Sequence, residues 1–360
     1  MRLRVFVFAC VVALAFATPV PARAQPPWEP PIWTSVLHGG PWGLASDAQG
    51  AVVVSDAGYV RSLGRHGTTL WETRVEGTGE GNPAITKSLV LVGATGRVVA
   101  LARCDGRVLW EQPMDGEITS VALGGATALA GDHQGTLRAF GAFDGTPKWS
   151  VRYDGQLLTA SRVDRRAAIV VAAWEEAPAP AVRGLDLATG ALRWTQDVGL
   201  FTAAPGLRGD HAFIATGNGH FSAWVADLDV VTGRARWAVR APASFSGGIP
   251  AVDRHDVVFV DQIGDVFALD PRTGSARWTR SLRQRVIDAR VVLFPRRVVV
   301  RTFSGELFVL DRVSGRVVAR ADPRDFDGFP SDAVRLGRST RMLVALRITE
   351  PNCVELWRVP

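Results

Sequence analysis

The sequence predicts an all-β fold: eight blades, each of four antiparallel strands, set in a ring that the N-terminal strand closes. Three observations carry this. A ten-residue phrase typified by "LDPRTGSARW" (269–278) returns around the chain, its copies end 39 to 45 residues apart, and the stretch after the last copy holds three strand-like runs whose missing fourth partner stands at the other end of the chain. A repeat of about 41 residues without helical periodicity is the length of one four-stranded blade of a β-propeller.

The copies are "LGRHGTTLW" (63–71), "LARCDGRVLW" (101–110), "FGAFDGTPKW" (140–149), "LDLATGALRW" (185–194), "LDVVTGRARW" (228–237), the opening phrase itself, and a degenerate "LDRVSGRVVA" (310–319). Each reads as the end of a third strand, a hairpin turn and the start of a fourth. In the turn, Asp186 or Asp270 can accept hydrogen bonds from the amides that follow it, and Gly190, Gly233 or Gly274 can take the positive φ that a side chain would resist. The Trp four residues after the Gly then lies on the fourth strand. Burying a Trp removes about 150–250 Å² from water, an upper figure of roughly 4–6 kcal/mol before ordering costs. Trp71, Trp110, Trp149, Trp194, Trp237 and Trp278 are therefore read as packing residues wedged between neighbouring blades. The interior of each repeat holds short β-rich runs between Gly-containing turns, such as 89–93, 97–102 and 108–112 in the second copy.

After Ala319 come "DAVRLG" (332–337), "RMLVALRI" (341–348) and "CVELWRVP" (353–360), three strands without a fourth. The segment "PPIWTSVL" (30–37) supplies it: Trp33 stands 38 residues before Trp71, one blade period away. Closure of this kind removes open sheet edges. Residues 32–360 are expected to form a single propeller domain, with "QPPWEPP" (25–31) a stiff Pro-rich lead-in.

Residues 1–24 read as a signal peptide, with two arginines, an apolar run over 5–17 and the small-x-small sequence Ala22-Arg23-Ala24 as the cleavage site. A lipoprotein signal ending at Cys10 is the competing idea; Phe8 and the apolar run that continues past the cysteine speak against it. No later segment approaches the 18 consecutive apolar residues of a membrane span. The mature protein is thus expected to be exported, to the periplasm or beyond, and to be monomeric. Removing Arg2, Arg4 and Arg23 lowers the net charge from +6 to +3, and without a clustered basic stripe this balance does not point to nucleic acid. Two cysteines remain, Cys104 and Cys353, either bridged in an oxidising compartment or left as separate thiols.

These phrases resemble the docking motif of the pyrroloquinoline-quinone-like (BamB-like) eight-bladed β-propeller repeat family, and the resemblance covers residues 30–360. It implies the fold more firmly than the function, because the superfamily holds both quinoprotein dehydrogenases and cofactor-free scaffolds. Quinoproteins hold their cofactor under a roof of adjacent, disulfide-linked cysteines, with Ca²⁺ on carboxylate and amide oxygens. This sequence has no Cys-Cys pair. The scaffold branch implies a non-catalytic role in protein–protein interaction in the cell envelope, with outer-membrane protein assembly as the implied setting and no cofactor. The alternative is a small periplasmic quinoprotein using pyrroloquinoline quinone and Ca²⁺, or a ligand-sensing propeller.

No local pattern supports an enzyme. His38, His66, His133, His211, His220 and His255 make no metal-binding spacing, "GNGHFS" (217–222) does not open a helix as a phosphate loop must, and no G-x-S-x-G elbow surrounds a serine. Function is therefore sought where the repeat is interrupted. The fourth copy is lengthened by "WEEAPAPAVR" (174–183) between its second and third strands, and the next by "TGNGHFSAW" (216–224) at the same connection. Both insertions fall on one face of a propeller, on adjacent blades. Trp174, Glu175, Glu176, His220, Phe221 and Trp224 form the candidate partner-binding patch, since exposed aromatics off the packing register are common interface anchors. The competing reading is that both Trp fold back over the blade edge.

Overall fold

A computed structural model describes residues 29 and 31–360 apart from 80, 155–161, 165–168, 175–180, 198–200, 203–204, 218–222, 242–249, 285, 287–288, 303–305, 322–328, 336–341 and 349–351. The expected signal peptide, and all of the lead-in but Glu29 and Pro31, lie outside these residues. So do Glu175, Glu176, His220 and Phe221. Where the structure describes the chain it is built of strands and turns, and no helix is long and apolar enough to cross a membrane.

Strand β1 spans Trp33–Val36. Blade 1 is β2 (Pro41–Ser46), β3 (Gly50–Ser55), β4 (Tyr59–Gly64) and β5 (Thr69–Arg74); blade 2 is β6 (Ala84–Ile85), β7 (Leu89–Ala94), β8 (Arg97–Ala102) and β9 (Val108–Pro113); blade 3 is β10 (Ile118–Gly124), β11 (Thr127–Asp132), β12 (Thr136–Gly141) and β13 (Pro147–Arg152). Blade 4 is β14 (Arg162–Asp164), β15 (Ile169–Trp174), β16 (Ala181–Asp186) and β17 (Leu192–Asp197), and blade 5 is β18 (Phe201–Thr202), β19 (Gly206–Arg208), β20 (His211–Gly217), β21 (Ala223–Asp229) and β22 (Ala235–Ala241). Blade 6 is β23 (Ala251–Val252), β24 (Val257–Val260), β25 (Asp265–Leu269) and β26 (Ala276–Ser281); blade 7 is β27 (Arg290–Leu293), β28 (Arg297–Arg301), β29 (Leu307–Asp311) and β30 (Val317–Ala321). The last strands, β31 (Phe329–Arg335), β32 (Met342–Ile348) and β33 (Cys353–Arg358), form a closing sheet with β1 in the order β1-β33-β32-β31.

The expectation of eight four-stranded blades needs correction. Blades built from consecutive strands number seven, and the closing sheet is a composite of the two ends of the chain. The three strands after Ala319 take their fourth partner, β1, from ahead of blade 1. Nor is every sheet four-stranded: in blade 5 both β18 and β19 pair with β20. Pro205 lies between those two short strands and has no N–H to give to a ladder, so the innermost strand of this blade is broken in two.

The first strand of each blade packs against the first strands of its neighbours and lines the axis, which leaves the fourth strands on the outer rim. Antiparallel pairing puts the turns between first and second and between third and fourth strands at one end of the ring, here the docking-turn face. The hairpins between second and third strands, and the links to the next blade, lie at the other end, the hairpin face. The core sits between blades rather than within them. Val52, Val54 and Trp71 of blade 1 pack on Val90, Val99 and Leu101 of blade 2, and Val258, Val266 and Ala268 of blade 6 pack on Val298, Phe308 and Leu310 of blade 7. A strand facing a neighbour on both sides is apolar on both sides, which is why β3 and β11 are buried along their whole length.

Candidate partner-binding site

The repeat fixes a register against which any departure can be seen. Seven indoles reach into the next sheet round the ring. Trp33, Trp71, Trp110, Trp149, Trp194, Trp237 and Trp278 donate Nε1–H to the backbone oxygens of Arg65, Arg103, Ala142, Leu187, Val230, Pro271 and Arg312, over 2.8–3.1 Å. Each ring lies flat on the turn glycine of that next blade. A Cβ placed on Gly190, Gly233 or Gly274 would stand 2.5–2.7 Å from the nearest atom of the Trp149, Trp194 or Trp237 ring, and all three glycines have φ near +70°. Glycine is therefore demanded twice there, by conformation and by contact.

The aspartate of the phrase organises the turn as expected and does more. Asp186 Oδ1 accepts from the Ala188 and Thr189 amides and the Thr189 hydroxyl, each at 3.0 Å, and Asp270 Oδ1 accepts from the Arg272 amide at 2.8 Å. The other oxygen is held by the arginine just before the Trp: Arg193 Nη2 donates to Asp186 Oδ2 at 2.5 Å, Arg236 to Asp229 at 2.5 Å and Arg277 to Asp270 at 2.7 Å. The Arg193 guanidinium and the Thr189 donors hold the Asp186 carboxyl down at about 2. The dipeptide Arg-Trp in three of the phrases was the available signal for these clamps.

The interruptions are at the hairpin face of blades 4 and 5. Trp174 is the last residue of β15, paired with Ala181, and its side chain and residues 175–180 lie outside the described residues. Trp224 is the second residue of β21, on the adjacent blade, and is 48% exposed while the docking residue Trp194 is 7% exposed. In register, Trp224 stands opposite Thr216 of β20 and Arg240 of β22, so Trp224 and Arg240 share one face of the sheet. That face looks toward blade 4, since Ala226 and Leu228 further along β21 pack with Val182 and Trp194. An exposed indole and an exposed guanidinium thus stand together at the open end of the seam between blades 4 and 5. Arg240 escaped the sequence reading because its place depends on a pairing across the third and fourth strands.

Other regions of the molecule offer less. A titratable group in blade 5 is largely paired within itself: His211 Nδ1 lies 2.7 Å from Asp227 Oδ2, and Arg236 Nη2 donates to Asp210 at 2.6 Å as well as to Asp229. Burial pushes the Asp227 carboxyl up, against the pull of His211. A cavity of about 700 Å³ opens on the docking-turn face between blades 3 and 4, lined by Gly124, Gly125, Thr127, Lys148, Leu187 and Ala188. Lys148 Nζ donates to Ala126 O and Thr127 Oγ1 at 2.9 and 2.8 Å, so the lysine braces the turn beside it. Among the described residues no three His, Cys, Asp or Glu side chains stand together as a metal site. Cys104 is exposed on a turn of blade 2 and Cys353 is buried in the closing sheet, and the two are not bridged.

Comparison with known proteins bears on the family and the fold. A family model described as "Outer membrane protein assembly factor BamB" matches residues 28–133, 56–176, 94–216 and 177–333. The chain is 29% identical over 311 residues to the outer membrane protein assembly factor BamB of Burkholderia pseudomallei, covering 80% of this chain and 79% of that one. It is 26% identical over 264 residues to the protein of the same name from Shewanella oneidensis, covering 67% and 62%. The crystal structure of BamB from Moraxella catarrhalis superposes with a TM-score of 0.74 at 18% identity, over 91% of this chain and 99% of that one.

Proposed function

The chain belongs to the BamB family of outer membrane protein assembly factors, and from that premise we propose that it is an exported, non-catalytic propeller scaffold that holds a protein partner of the cell envelope within outer-membrane protein assembly. The observation that carries the reading is Trp224: half-exposed, off the docking register, and paired across the sheet with Arg240 where the repeat is lengthened. An aromatic ring beside an arginine is the composition of an interface anchor, because both side chains bring large contact area and Arg adds directional hydrogen bonds. Trp174 ends β15 at the same face of the adjacent blade, and Glu175, Glu176, His220 and Phe221, outside the described residues, are proposed to belong to the same patch.

The test is crosslinking in the native envelope followed by identification of the partner, with the wild-type chain, Trp224→Ala with Arg240→Ala, and Trp174→Ala with Trp224→Ala. The expected result is one dominant envelope partner whose crosslink falls by at least about tenfold in both double variants while their thermal unfolding matches wild type. An unchanged set of partners in well-folded variants would sink the patch.

A further inference from the structure

A second surface stands on the docking-turn face, at the corner formed by blades 6 and 7. Four turns meet the solvent there, and antiparallel pairing brings all of them to the same end of the ring. They are the turns at residues 253–256 and 270–275 of blade 6, and at 294–297 and 311–316 of blade 7.

Their carboxylates are all engaged. Arg312, buried, donates from Nη2 to Asp253 at 2.5 Å and from Nε to Asp256 at 2.6 Å; Arg277 Nη2 donates to Asp270 at 2.7 Å; and Arg297 Nη1 lies 3.4 Å from Asp311 Oδ2. Four aspartates are thereby matched to Arg277, Arg297 and Arg312. The same turns carry four further arginines, Arg254, Arg272, Arg296 and Arg316, all exposed. Among the described residues no carboxylate pairs with any of them. Arg254 Nε instead donates to the His255 ring at 2.8 Å, so the side chain it meets is not a carboxylate. At the tip of the last turn, between these cations, Val313 is 87% exposed, the highest figure among the large apolar residues that stand out of the surface.

We propose that this corner docks on a surface of anionic lipid headgroups. Four turns at one end of the ring face the same way, each exposed guanidinium can pair with a phosphate in a fork, and an apolar side chain projecting among them is placed to enter the interface. A single-stranded nucleic acid would call for a row of rings on which successive bases stack, whereas of the two aromatic rings in these turns Phe294 is fully buried and only His255 is exposed. An extended acidic peptide would call for a groove, and the cavity described above lies elsewhere, between blades 3 and 4. The surface is distinct from the Trp224 patch, which is on the opposite face.

The experiment is co-flotation of the purified full chain with vesicles of phosphatidylcholine alone or with about one third phosphatidylglycerol, at low salt and at about 0.5 M NaCl. Binding is expected to the anionic vesicles only, lost at high salt, and weakened at least about tenfold in Arg254→Gln/Arg272→Gln/Arg296→Gln/Arg316→Gln. Val313→Ser should weaken it by a smaller factor. A control with Lys87→Gln and Arg107→Gln, exposed cations on the same face of blade 2, is expected to bind as wild type. The proposal is overturned if the wild-type chain stays with the soluble fraction, if the corner variant floats as well as the parent, or if the control loses binding equally. It is also overturned if a short DNA duplex at equal phosphate concentration displaces the chain from the vesicles. Matching unfolding curves for the variants exclude a folding defect as the cause.

Discussion

Asp261 sits at the hairpin face of blade 6, fully buried, with Oδ1 accepting from the Asp265 amide at 2.8 Å and Oδ2 facing no donor among the described residues. Burial pushes its carboxyl up to about 6, against an ordinary value of 3.8. A folded-state pKa above the unfolded one means that the native form holds its proton more tightly. The site therefore favours folding at low pH, and that contribution disappears as pH rises from about 4 through about 6, a change on the order of 3 kcal/mol. Asp261→Asn keeps the acceptor and gives the second position a neutral donor; it is expected to raise the melting temperature near pH 8 and leave it nearly unchanged near pH 4. Equal shifts at both pH values would refute the assignment to ionisation. The same position is Ser55 in blade 1, Asp132 in blade 3 and Thr302 in blade 7, each accepting from the amide four residues on, at 2.9–3.3 Å. This second recurrent device was not legible in the sequence, because turn chemistry needs only a short oxygen-bearing side chain and the letter changes from blade to blade. The Trp phrase was legible because nothing but Trp fills its site. Glycines show the difference between conformational and contact demand: Gly209 has φ of +58° with nothing near its Cβ position, whereas Gly233 has φ of +69° and the Trp194 ring at 2.5 Å. Gly209→Ala should cost about 1–2 kcal/mol and Gly233→Ala at least about 2 kcal/mol more in urea unfolding.

Strand β1 closes the ring with four register pairs, Trp33 to Leu356 through Val36 to Cys353, and with the Trp33 indole locked on Arg65. Its place was legible because Trp33 keeps the period. What holds it is a short ladder plus one large side chain, so the indole should decide whether the strand stays down. Cys353 reports on this directly, since it is buried under the pairing while Cys104 is exposed. In wild type a thiol reagent is expected to modify Cys104 rapidly and Cys353 slowly; with Trp33→Ala, Cys353 should become reactive as well. A Cys353 equally slow in both proteins, read by peptide mapping, would show that β1 does not depend on the docking contact. The degenerate phrase of blade 7 also has an explanation at this scale: Ala319 takes the place of Trp, and the joint with the closing sheet is filled from the other side by Trp357, whose Nε1 donates to Glu355 at 3.0 Å.

At the scale of the molecule, the seven turn phrases could be read locally, while the count of eight blades taken from them was one too many, and the contacts that tie blades together through charge could not be read at all. Arg103 reaches Asp47 across 56 residues and Arg312 reaches Asp253 across 59, and no pattern within one repeat announces either partner. The candidate patch was only half legible for the same reason: a lengthened loop can be seen in a sequence, but the placing of Arg240 beside Trp224 is a property of sheet register. Five strands in blade 5 were invisible because the split of its inner strand turns on one proline.

The seven indole locks all run in the same sense, each sheet gripping the one after it, and the series stops at blade 7. A bracelet made this way has a grain and one plain joint, and the joint is set by Ala319 rather than by where the chain begins and ends. New termini cut between Ala321 and Phe329, with the old ones joined by a linker, would leave every hook fastened, whereas a cut at any other link between sheets would separate neighbours that a hook joins. The clasp of this ring and the ends of its polypeptide are two different places.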